Sequence, residues 1–456
     1  MALTVVILAA GQGKRMRSNR PKVLAPLAGA PLLAHVLRAA RQLDPAGLSV
    51  VVGHGGGAVR AAFSDSDVNW VEQTEQLGTG HAVLQAMPVI PDDHQVLILC
   101  GDVPLVRSET LAQLVAAGGP DQLGLLTARV DNPAGYGRII RQENGNVRGI
   151  VEQVDASPAE LAIDEINSGL MVLPGKHLRR WLSGLGNDNA QGEYYLTDCI
   201  AMAFSEQMTV LGIQAPAEQV LGINDKAQLA RVERLYQRAQ AEALMAAGVT
   251  LADPARVDIR GTLSCAADVF IDVGAVFEGT VELGEGVHVG AHAVLRNATL
   301  GADTVVHPFT LLDDVHTGQA CEIGPFARLR PGAQFADRVK VGNFVEIKNS
   351  QIGPGSKVNH LSYVGDTTIG RQANVGAGTI TCNYDGANKH RTTIGDGAFI
   401  GSGVQLVAPV DIGAGATIGA GSTISKNAPA DKLTVERSRQ LTVEGWQRPA
   451  KKPPQK

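Results

Sequence analysis

The chain has 456 residues, of which 44% are hydrophobic and 4% aromatic, and it contains 53 glycines. Such a length predicts about two to three domains, and the hydrophobic share excludes a chain that is disordered throughout. The net charge of −5, from 40 Lys and Arg against 45 Asp and Glu, argues against nucleic acid or an anionic membrane as a partner.

The cysteines are scattered and form no C-x-x-C pair; they are Cys100, Cys199, Cys265, Cys321 and Cys382. This pattern predicts neither a disulfide framework nor a zinc site, and it favours the reducing cytosol. No apolar run reaches the roughly 20 residues that span a bilayer. The apolar opening Met1–Ala10 precedes its positive charges, which is the wrong order for a signal peptide. We therefore expect a cytoplasmic protein without a membrane partner.

The first half alternates short apolar runs with helix-like stretches. Strands are predicted at Val5–Ala9, Leu48–Val52, Val96–Leu99, Leu123–Ala128 and Leu170–Leu173. Helices are predicted at Pro31–Leu43, Gly80–Met87 and Ser108–Ala116. Because strands separated by helices tend to pair in parallel, we expect a Rossmann-like α/β domain with a mixed, mostly parallel sheet. Ligands of such sheets bind beyond the carboxyl ends of the strands, where Gly11 and Asp102 fall.

A helical pattern over Asp225–Ala247 separates this half from a second half with a different period. From about residue 251, an aliphatic residue followed by a small residue recurs with a period of six, as in Ile394-Gly-Asp-Gly-Ala398. Further repeats begin at Leu283, Val289, Ile323, Val341, Ile352, Ile369, Val375, Ile400, Ile412 and Ile418. This period is typical of a parallel β-helix with about 18 residues per turn. We expect a domain at 1–226, a helical linker at 227–247 and a β-helix of hexapeptide repeats at 248–456.

Two segments depart from the repeat. Thr381–Thr393 has no aliphatic position, which predicts a loop extruded from the β-helix, and such loops commonly form binding surfaces. Pro449–Lys456 is rich in lysine and proline, and we expect a disordered basic tail there.

The first chemical motif is Leu8-Ala-Ala-Gly-Gln-Gly-Lys-Arg-Met16, which directly follows a predicted strand. Gly11 and Gly13 would let backbone N–H groups approach phosphate oxygens, and positive charge is added by Lys14, Arg15 and Lys22. The motif matches neither the dinucleotide pattern G-x-G-x-x-G nor a Walker loop. Taken alone, it also fits a tight turn between a strand and a helix.

Three later motifs place this loop in a family. They are Pro21-Lys-Val-Leu24, Gln73-Thr-Glu-Gln-Leu-Gly-Thr-Gly80 and Cys100-Gly-Asp-Val-Pro-Leu105. Together with the glycine loop they resemble the sugar nucleotidyltransferase (pyrophosphorylase) family. With the hexapeptide repeats behind them, the chain from about Leu3 to Trp446 resembles the bacterial bifunctional N-acetylglucosamine-1-phosphate uridylyltransferases/glucosamine-1-phosphate acetyltransferases. This resemblance implies a left-handed β-helix and a homotrimer.

The resemblance also implies roles for residues of the first half. The nucleotide would be held by Leu8, Ala9, Ala10 and Gly11, and its phosphates by Arg15 and Lys22. The uracil would be read by Gln73, Gly78 and Thr79, and the sugar would be held by Gly137, Glu152 and Asn167. The same site would be lined by Cys100, Gly101, Asp102 and Asn224. Asp102 and Asn224 would bind Mg²⁺, a hard cation that suits carboxylate, amide, phosphate and water oxygens.

In the second half, the repeat register selects one histidine from His288, His292, His307, His316, His360 and His390. His360 is expected to align with Asn343 and Ala377, and Glu346 with Tyr363, because adjacent turns lie about 4.8 Å apart. By resemblance, His360 would be the general base that deprotonates the amine of glucosamine 1-phosphate. That acceptor would be held by Arg330, Lys348, Tyr363 and Asn374. Acetyl-CoA would be contacted by Ala377, Asn383, Tyr384, Ser402, Ala420 and Arg437, with Arg439 as the alternative to Arg437.

Three functions compete. The first is an enzyme that acetylates glucosamine 1-phosphate with acetyl-CoA and then transfers UMP from UTP to N-acetylglucosamine 1-phosphate, releasing pyrophosphate. In the second, only the first half acts, as a sugar-1-phosphate nucleotidyltransferase, and the β-helix is structural or regulatory. The third is a nucleotide-binding scaffold without activity. The extruded loop and His360 favour the first over the second, and Asp102 with Arg15 and Lys22 argues against the third.

Overall fold

Two compact units make up the chain, one over residues 1–240 and the other from residue 241 onward. The computed structural model describes residues 1–63 and 67–449. The basic tail predicted at Pro449–Lys456 lies, after its first residue, outside the described residues. The domain limits expected at residues 226 and 248 stay a prediction.

In the first unit, helices and strands alternate along the chain. Its helices are α1 (Leu32–Arg41), α2 (Gly56–Ala62), α3 (Thr79–Ala86), α4 (Ser108–Ala116), α5 (Pro158–Leu161), α6 (Gly175–Ser183), α7 (Asp198–Ser205) and α8 (Lys226–Ala246), which continues past residue 240. Its strands are β1 (Leu3–Ala9), β2 (Pro26–Leu27), β3 (Ala30–Pro31), β4 (Gly47–Val52), β5 (Asn69–Glu72), β6 (Gln95–Cys100), β7 (Gln122–Arg129), β8 (Arg138–Arg141), β9 (Val147–Val151), β10 (Glu165–Pro174) and β11 (Thr209–Gln214). Every predicted strand and helix is present, with ends that differ by a few residues.

The main sheet has the order β11-β7-β10-β6-β1-β4-β5, and β8 and β9 are attached at β10. The pairs β1–β4, β1–β6, β4–β5 and β7–β11 are parallel. β10 runs antiparallel to both of its neighbours, β6 and β7. The prediction of a mixed, mostly parallel sheet is confirmed.

Both faces of this sheet are buried, which explains its continuous apolar runs. Along β1, Val5 and Ile7 belong to the core on one face and Val6 to the core on the other. Helices α1 and α4 cover the first face, and α3, α6 and α7 cover the second. Ile7 is fully buried, so its replacement by alanine is expected to cost about 2–5 kcal/mol of unfolding free energy.

The amphipathic pattern predicted at Asp225–Ala247 forms α8. Its residues Leu229, Val232 and Tyr236 pack in a small apolar cluster with Ile223 and Leu27, which confirms the predicted helix. In the described part of the chain, no helix is both long and apolar enough to cross a membrane.

The second unit is a parallel β-helix. Its first strands are β12 (Thr250–Leu251), β13 (Asp258–Cys265), β14 (Phe270–Ile271), β15 (Val276–Leu283), β16 (His288–Val289), β17 (Val294–Leu300), β18 (Val305–Val306), β19 (Leu311–Thr317), β20 (Glu322–Ile323), β21 (Arg328–Leu329), β22 (Ala333–Phe335), β23 (Lys340–Asn343) and β24 (Glu346–Lys348). They continue with β25 (Gln351–Ile352), β26 (Lys357–His360), β27 (Tyr363–Gly365), β28 (Thr367–Ile369), β29 (Asn374–Val375), β30 (Ile380–Cys382), β31 (Thr392–Ile394), β32 (Phe399–Ile400), β33 (Gln405–Val407), β34 (Val410–Ile412), β35 (Thr417–Ile418), β36 (Thr423–Ile424) and β37 (Leu433–Thr434).

Each turn of the β-helix stacks in register on the next. Lys340 pairs with Lys357, and Lys357 pairs with Asn374, a spacing of 17 residues each time. The aliphatic positions stack in a buried column made of Val289, Val306, Ile323, Val341, Val358, Val375, Ile400 and Ile418. The predicted hexapeptide solenoid is confirmed.

One turn is longer because it carries the extruded loop. Asn374 pairs with Phe399 across a spacing of 25 residues. The extra residues lie between β30 and β31, where the Asp385 Oδ1 atom accepts hydrogen bonds from the amides of Ala387 and Asn388 at 2.8 and 2.6 Å. The loop predicted at Thr381–Thr393 is confirmed.

Candidate active sites

The glycine loop follows β1 directly. Gly13 has a φ of 61°, and a Cβ there would lie 2.7 Å from the Cβ of Lys22, so only glycine fits without strain. Gly11 is exposed, and no described atom lies within 4 Å of its Cβ position, which leaves its backbone open to a ligand. The Gly101 amide donates to the Leu8 oxygen at 2.9 Å. The loop and Asp102 therefore share the carboxyl edge of the sheet, as predicted.

Three polar groups converge beside this loop. The Lys22 ammonium donates to Asp102 Oδ2 and, at 3.3 Å, to Asn224 Oδ1. The Ile223 backbone amide donates to the Asp102 backbone carbonyl oxygen at 3.0 Å, which holds the Asn224 segment in place. The Lys22 ammonium therefore contacts both the Asp102 carboxylate and the Asn224 side-chain oxygen. Lys22 and Asp102 have side chains only 13% and 21% exposed, so this charge pair is partly shielded from water.

The remaining phosphate and nucleotide residues differ in exposure. Ala9 and Ala10 are buried at the end of β1. Arg15 is exposed on the short 3-10 turn Lys14–Met16, and its side chain makes no hydrogen bond or ion pair with another described residue. Its guanidinium is thus available to a ligand above the loop.

The residues predicted to read a base lie around the start of α3. Gln73 donates through Nε2 to the Gly78 oxygen at 3.1 Å, and Thr79 Oγ1 accepts from the Leu196 amide at 3.1 Å. A Cβ at Gly78 would lie 2.7 Å from the Tyr194 oxygen. Gln76, which sequence reasoning missed, donates through Nε2 to the Gln73 oxygen at 3.1 Å and accepts from Gln12 at 3.5 Å. Gln76 therefore connects this segment to the glycine loop.

The predicted sugar residues also meet. The Asn167 backbone N–H donates to the Gly137 carbonyl oxygen at 2.9 Å. A Cβ at Gly137 would lie 3.4 Å from both carboxylate oxygens of Glu152. Thr197, which the sequence analysis did not select, donates to Glu152 Oε1 at 3.4 Å. Burial raises the pKa of Glu152; the Thr197 hydrogen bond lowers it, and the nearby Asp155 and Asp198 raise it further.

Cys100 lies behind this site. Its Sγ atom is 3.9 Å from the Gly169 oxygen. Burial, and after it the charge of Asp102, raises the pKa of this thiol to about 12. Cys100 therefore remains a neutral thiol and lines the site rather than acting as a nucleophile.

In the β-helix, the predicted alignments hold. His360 pairs with Asn343, and Glu346 pairs with Tyr363. The His360 Nδ1 atom lies 3.2 Å from Asn343 Oδ1, and the Ser362 hydroxyl donates to the His360 oxygen at 2.8 Å. His360 is exposed, so its Nε2 edge is accessible to a substrate.

Three cations lie close to one another: Arg330, Lys348 and Lys389. Arg330 donates to Glu346 Oε1 at 2.8 Å, one turn from Tyr363. The pKa of Lys348 is lowered by a hydrogen bond and charge repulsion from Lys389, which the extruded loop contributes. A phosphate dianion would relieve this repulsion. Sequence reasoning missed Lys389, because its segment has no repeat register.

Asn374 stands apart from these cations. It lies on β29, in the 11-stranded sheet beside Lys357 and Phe399. Arg330 follows β21, Lys348 ends β24 and Tyr363 begins β27, all in the 15-stranded sheet. The structure thus places the four predicted acceptor residues on two different sheets.

The predicted acetyl-CoA residues line one corner. Ala377, Ser402 and Ala420 each precede a glycine of positive φ, namely Gly378, Gly403 and Gly421. Amides of Gly403 and Gly421 donate to the oxygens of Ala377 and Ser402 at 2.7 and 2.8 Å, so the turns stack directly. Arg437 continues this column, since its Cδ atom would lie 3.8 Å from a Cβ at Gly421.

The same corner is filled with large side chains in the preceding turns. Phe309, Phe326, Phe344 and Leu361 occupy it, each with positive φ and each about half exposed or more. Their rings stack, with centroids 5.1 Å apart for Phe309–Phe326 and 5.4 Å for Phe326–Phe344. His292 stacks below Phe309 at 5.2 Å. We call His292, Phe309, Phe326, Phe344 and Leu361 the corner ladder; beyond it the corner becomes a bare glycine groove.

Asn383 and Tyr384 begin the extruded loop. Asn383 is buried and donates to Asp366 Oδ2, whereas Tyr384 is 61% exposed and donates to the Gly386 oxygen at 2.6 Å. His390, farther along the loop, lies with Nε2 2.7 Å from Asp385 Oδ2. Hydrogen bonds from the Asn388 amide and His390 hold the pKa of Asp385 well below its usual value, which keeps its carboxylate ionised.

Two families of known proteins match the chain. The MobA-like NTP transferase domain matches residues 5–248, and the bacterial transferase hexapeptide (six repeats) matches residues 391–426. Together with the parallel strand pairing, these matches define a nucleotidyltransferase joined to a transferase of the left-handed β-helix class.

Curated relatives cover nearly the full length. The chain is 58% identical to "Bifunctional protein GlmU" of Alkalilimnicola ehrlichii, covering 99% of this chain and 98% of that one. It is 57% identical to the protein of that name from Ralstonia nicotianae (98% and 99%) and 56% identical to that from Cupriavidus pinatubonensis (99% and 99%). The chain therefore belongs to the family of bifunctional GlmU proteins. The resemblance seen in the sequence is confirmed, and so is an enzyme with two transferase activities rather than one with an inactive β-helix.

Proposed function

We propose that the first unit transfers UMP from UTP to N-acetylglucosamine 1-phosphate. A phosphate oxygen of the sugar attacks the α-phosphorus of UTP in line, a new P–O bond forms, and pyrophosphate leaves with the electrons of the broken bond. Arg15 and Lys22 neutralise charge on the phosphates. The observation that carries this assignment is the Lys22 ammonium placed between Asp102 and Asn224 beside the glycine loop.

Mg²⁺ fits the same pair of oxygens. Lys22 shows that one cation reaches Asp102 and Asn224 together, and a carboxylate with an amide oxygen is a donor set suited to Mg²⁺. The described residues contain no group of three or more His, Cys, Asp or Glu able to hold a metal, so phosphate and water oxygens would complete the coordination. When bound, the ion supplies charge neutralisation and phosphate alignment.

The base and the sugar occupy the two sides of this centre. Gln73, Gly78 and Thr79 form a polar edge suited to uracil, with Gln76 beside them. Gly137, Glu152 and Asn167 offer oxygens and an amide to sugar hydroxyl and acetamide groups. A Cβ at Gly137 would lie 2.9 Å from Ile150 Cγ2, so glycine is the residue that fits beside Ile150 and Glu152.

The β-helix would acetylate glucosamine 1-phosphate. His360 Nε2 takes a proton from the substrate ammonium while Nδ1–H donates to Asn343 Oδ1. The free amine attacks the thioester carbonyl, the N–C bond forms, and the C–S bond breaks. The CoA thiolate leaves with the bonding electrons and takes up a proton, and backbone N–H groups stabilise the oxyanion. Arg330, Lys348 and Lys389 supply the positive charge for the sugar phosphate.

Acetyl-CoA would lie along the bare glycine groove. The corner that carries Phe309 to Leu361 loses its side chains at Gly378, Gly403 and Gly421, which leaves room for a long ligand beside Ala377, Ser402 and Ala420. The groove runs along Gly378, Gly403 and Gly421 toward Arg437. The position of Arg437 beside Gly421 favours Arg437 over Arg439 as the cation for the CoA phosphates.

A homotrimer is the proposed assembly, and two observations support association of copies. The corner ladder is an exposed apolar stripe, which is typical of a protein interface. Asn374 lies on a different sheet from Arg330, Lys348 and Tyr363, and an acceptor shared between adjacent copies would reach all four. A cytoplasmic location is supported by the five cysteines, which are all free thiols.

Two assays on the purified protein test this function. Acetyl-CoA with glucosamine 1-phosphate should release free CoA thiol, and UTP, Mg²⁺ and N-acetylglucosamine 1-phosphate should release pyrophosphate. If no thiol appears, the acetyl-transfer assignment is wrong; if no pyrophosphate appears, the uridylyl-transfer assignment is wrong.

A further inference from the structure

A buried carboxylate lies behind the acetyl-CoA residue Asn383. Asp366 is 6% exposed and sits at a corner of the β-helix with a φ of 49°. Its Oδ1 atom accepts from Asn349 Nδ2 at 2.5 Å, and its Oδ2 atom accepts from Asn383 Nδ2. A buried polar group of this kind is stable only when its oxygens are satisfied, and two asparagine amides satisfy them.

The acceptor-only chemistry of Asp366 dictates which way Asn383 faces. An ionised carboxylate has no hydrogen to donate, so the Asn383 amide must turn its nitrogen toward Asp366 and its oxygen away. Burial opposes ionisation of Asp366, but hydrogen bonds from Asn349 and Asn383, with the charges of Lys348 and Lys389, hold its pKa below the ordinary value. The orientation of Asn383 therefore persists at neutral pH.

Asn383 lies beside a residue of the acceptor site. A Cβ built at Gly365 would be 2.8 Å from Asn383 Nδ2 and 2.5 Å from the Tyr363 hydroxyl, so both polar groups sit over the same glycine. Asn383 is thus a direct neighbour of Tyr363, a residue of the proposed acceptor site.

We infer that Asp366 is a positioning residue that fixes the Asn383 amide so that its oxygen accepts a hydrogen bond from a substrate N–H. This inference rests on the proposed acetyl transfer. Two substrate groups carry the required N–H: the amides of the pantetheine arm of acetyl-CoA and the amine of glucosamine 1-phosphate.

The substitution Asp366→Asn is expected to reverse the orientation of the Asn383 side-chain amide. An asparagine at 366 accepts from Asn349 through Oδ1 and turns its own nitrogen toward Asn383, which then has to present its oxygen inward and its nitrogen to the substrate. The exchanged variant, Asp366→Asn with Asn383→Asp, restores an outward acceptor and leaves the net charge unchanged. Asp411→Asn is the matched control, because Asp411 accepts from Asn427 Nδ2 at 3.3 Å in a similar pair away from these residues.

The experiment measures thiol release under steady-state conditions, and separately the Kd of acetyl-CoA and of glucosamine 1-phosphate by calorimetry. We expect Asp366→Asn to raise KM and Kd about tenfold or more for one substrate, which identifies the N–H donor, and the exchanged variant to return them to within about threefold of wild type. Wild-type constants in Asp366→Asn, or no recovery in the exchanged variant, would overturn the inference. Absence of thiol release by the wild-type protein contradicts the proposed function instead, and the calorimetric pattern still decides the role of Asp366.

Discussion

His360 Nδ1 lies 3.2 Å from the side-chain oxygen of Asn343, its partner on the neighbouring turn of the β-helix. This contact selects the tautomer with the proton on Nδ1, which leaves Nε2 as the base. Asn343→Ala removes the acceptor, and we expect kcat for acetyl transfer to fall about 10-fold or more. Steady-state thiol release checks this, with Asn427→Ala as a control on the same solenoid. An unchanged kcat in Asn343→Ala would mean that the contact has no role.

The pair formed by Lys348 and Lys389 predicts a pH dependence. Lys389 disfavours the charged form of Lys348 and so lowers its pKa. Lys348 consequently loses its charge at a lower pH than an isolated lysine, and KM for glucosamine 1-phosphate should rise as the solution becomes alkaline. In Lys389→Met, KM at neutral pH should be about tenfold higher, because a phosphate contact is lost. The alkaline rise should move to higher pH, because the repulsion is gone.

The measurement is KM for glucosamine 1-phosphate against pH in both proteins. Lys340→Met is the control, because Lys340 pairs with Glu322 at 2.6 Å on the surface. A Lys389→Met enzyme whose alkaline rise stays at the wild-type pH would refute the coupling.

Glu152 links stability to function in the first unit. Burial raises its pKa above the unfolded value, so its neutral form stabilises the fold at low pH, and this contribution is lost as the pH rises through the folded pKa. Glu152→Gln should therefore raise Tm at pH 7, by about 2–4 °C for each kcal/mol recovered, while weakening sugar binding. Calorimetric scans at pH 4 and pH 7 test this, since the gain should appear only at pH 7.

Glu160→Gln is the control for that scan. The pKa of Glu160 is lowered by its hydrogen bonds with Ser157, the opposite direction to Glu152. No gain in Tm is expected at either pH. A Glu152→Gln protein that is less stable than wild type at pH 7 would contradict the account.

The corner ladder should hold copies together. Burying a phenylalanine side chain contributes about 1.5–3 kcal/mol, so Phe326→Ser with Phe344→Ser is expected to dissociate the proposed trimer at micromolar concentration. Light scattering after size exclusion gives the mass. Phe399→Ser is the matched control, because Phe399 is 51% exposed on the β-helix but lies outside the ladder. A trimer that survives the ladder substitutions would place the interface elsewhere.

The β-helix could be predicted from the sequence because the six-residue period recurs in nearly every repeat. Counting hexapeptides was sufficient to align Asn343 with His360 and Glu346 with Tyr363. The antiparallel direction of β10 could not be predicted, since Leu170–Leu173 is buried on both faces and reads the same in either direction. Lys389, Gln76 and Thr197 were missed because they reach their sites through loop geometry and carry no periodic signal.

Two separate sites perform the two transfers, so a substitution in one site should leave the other reaction intact. Thiol release and pyrophosphate release are measured in both Asp102→Ala and His360→Ala. We expect Asp102→Ala to lose at least about 100-fold in pyrophosphate release and to keep acetyl transfer, and His360→Ala to show the reverse. If either folded variant loses both activities equally, or if His360→Ala still acetylates at the wild-type rate, this account is wrong.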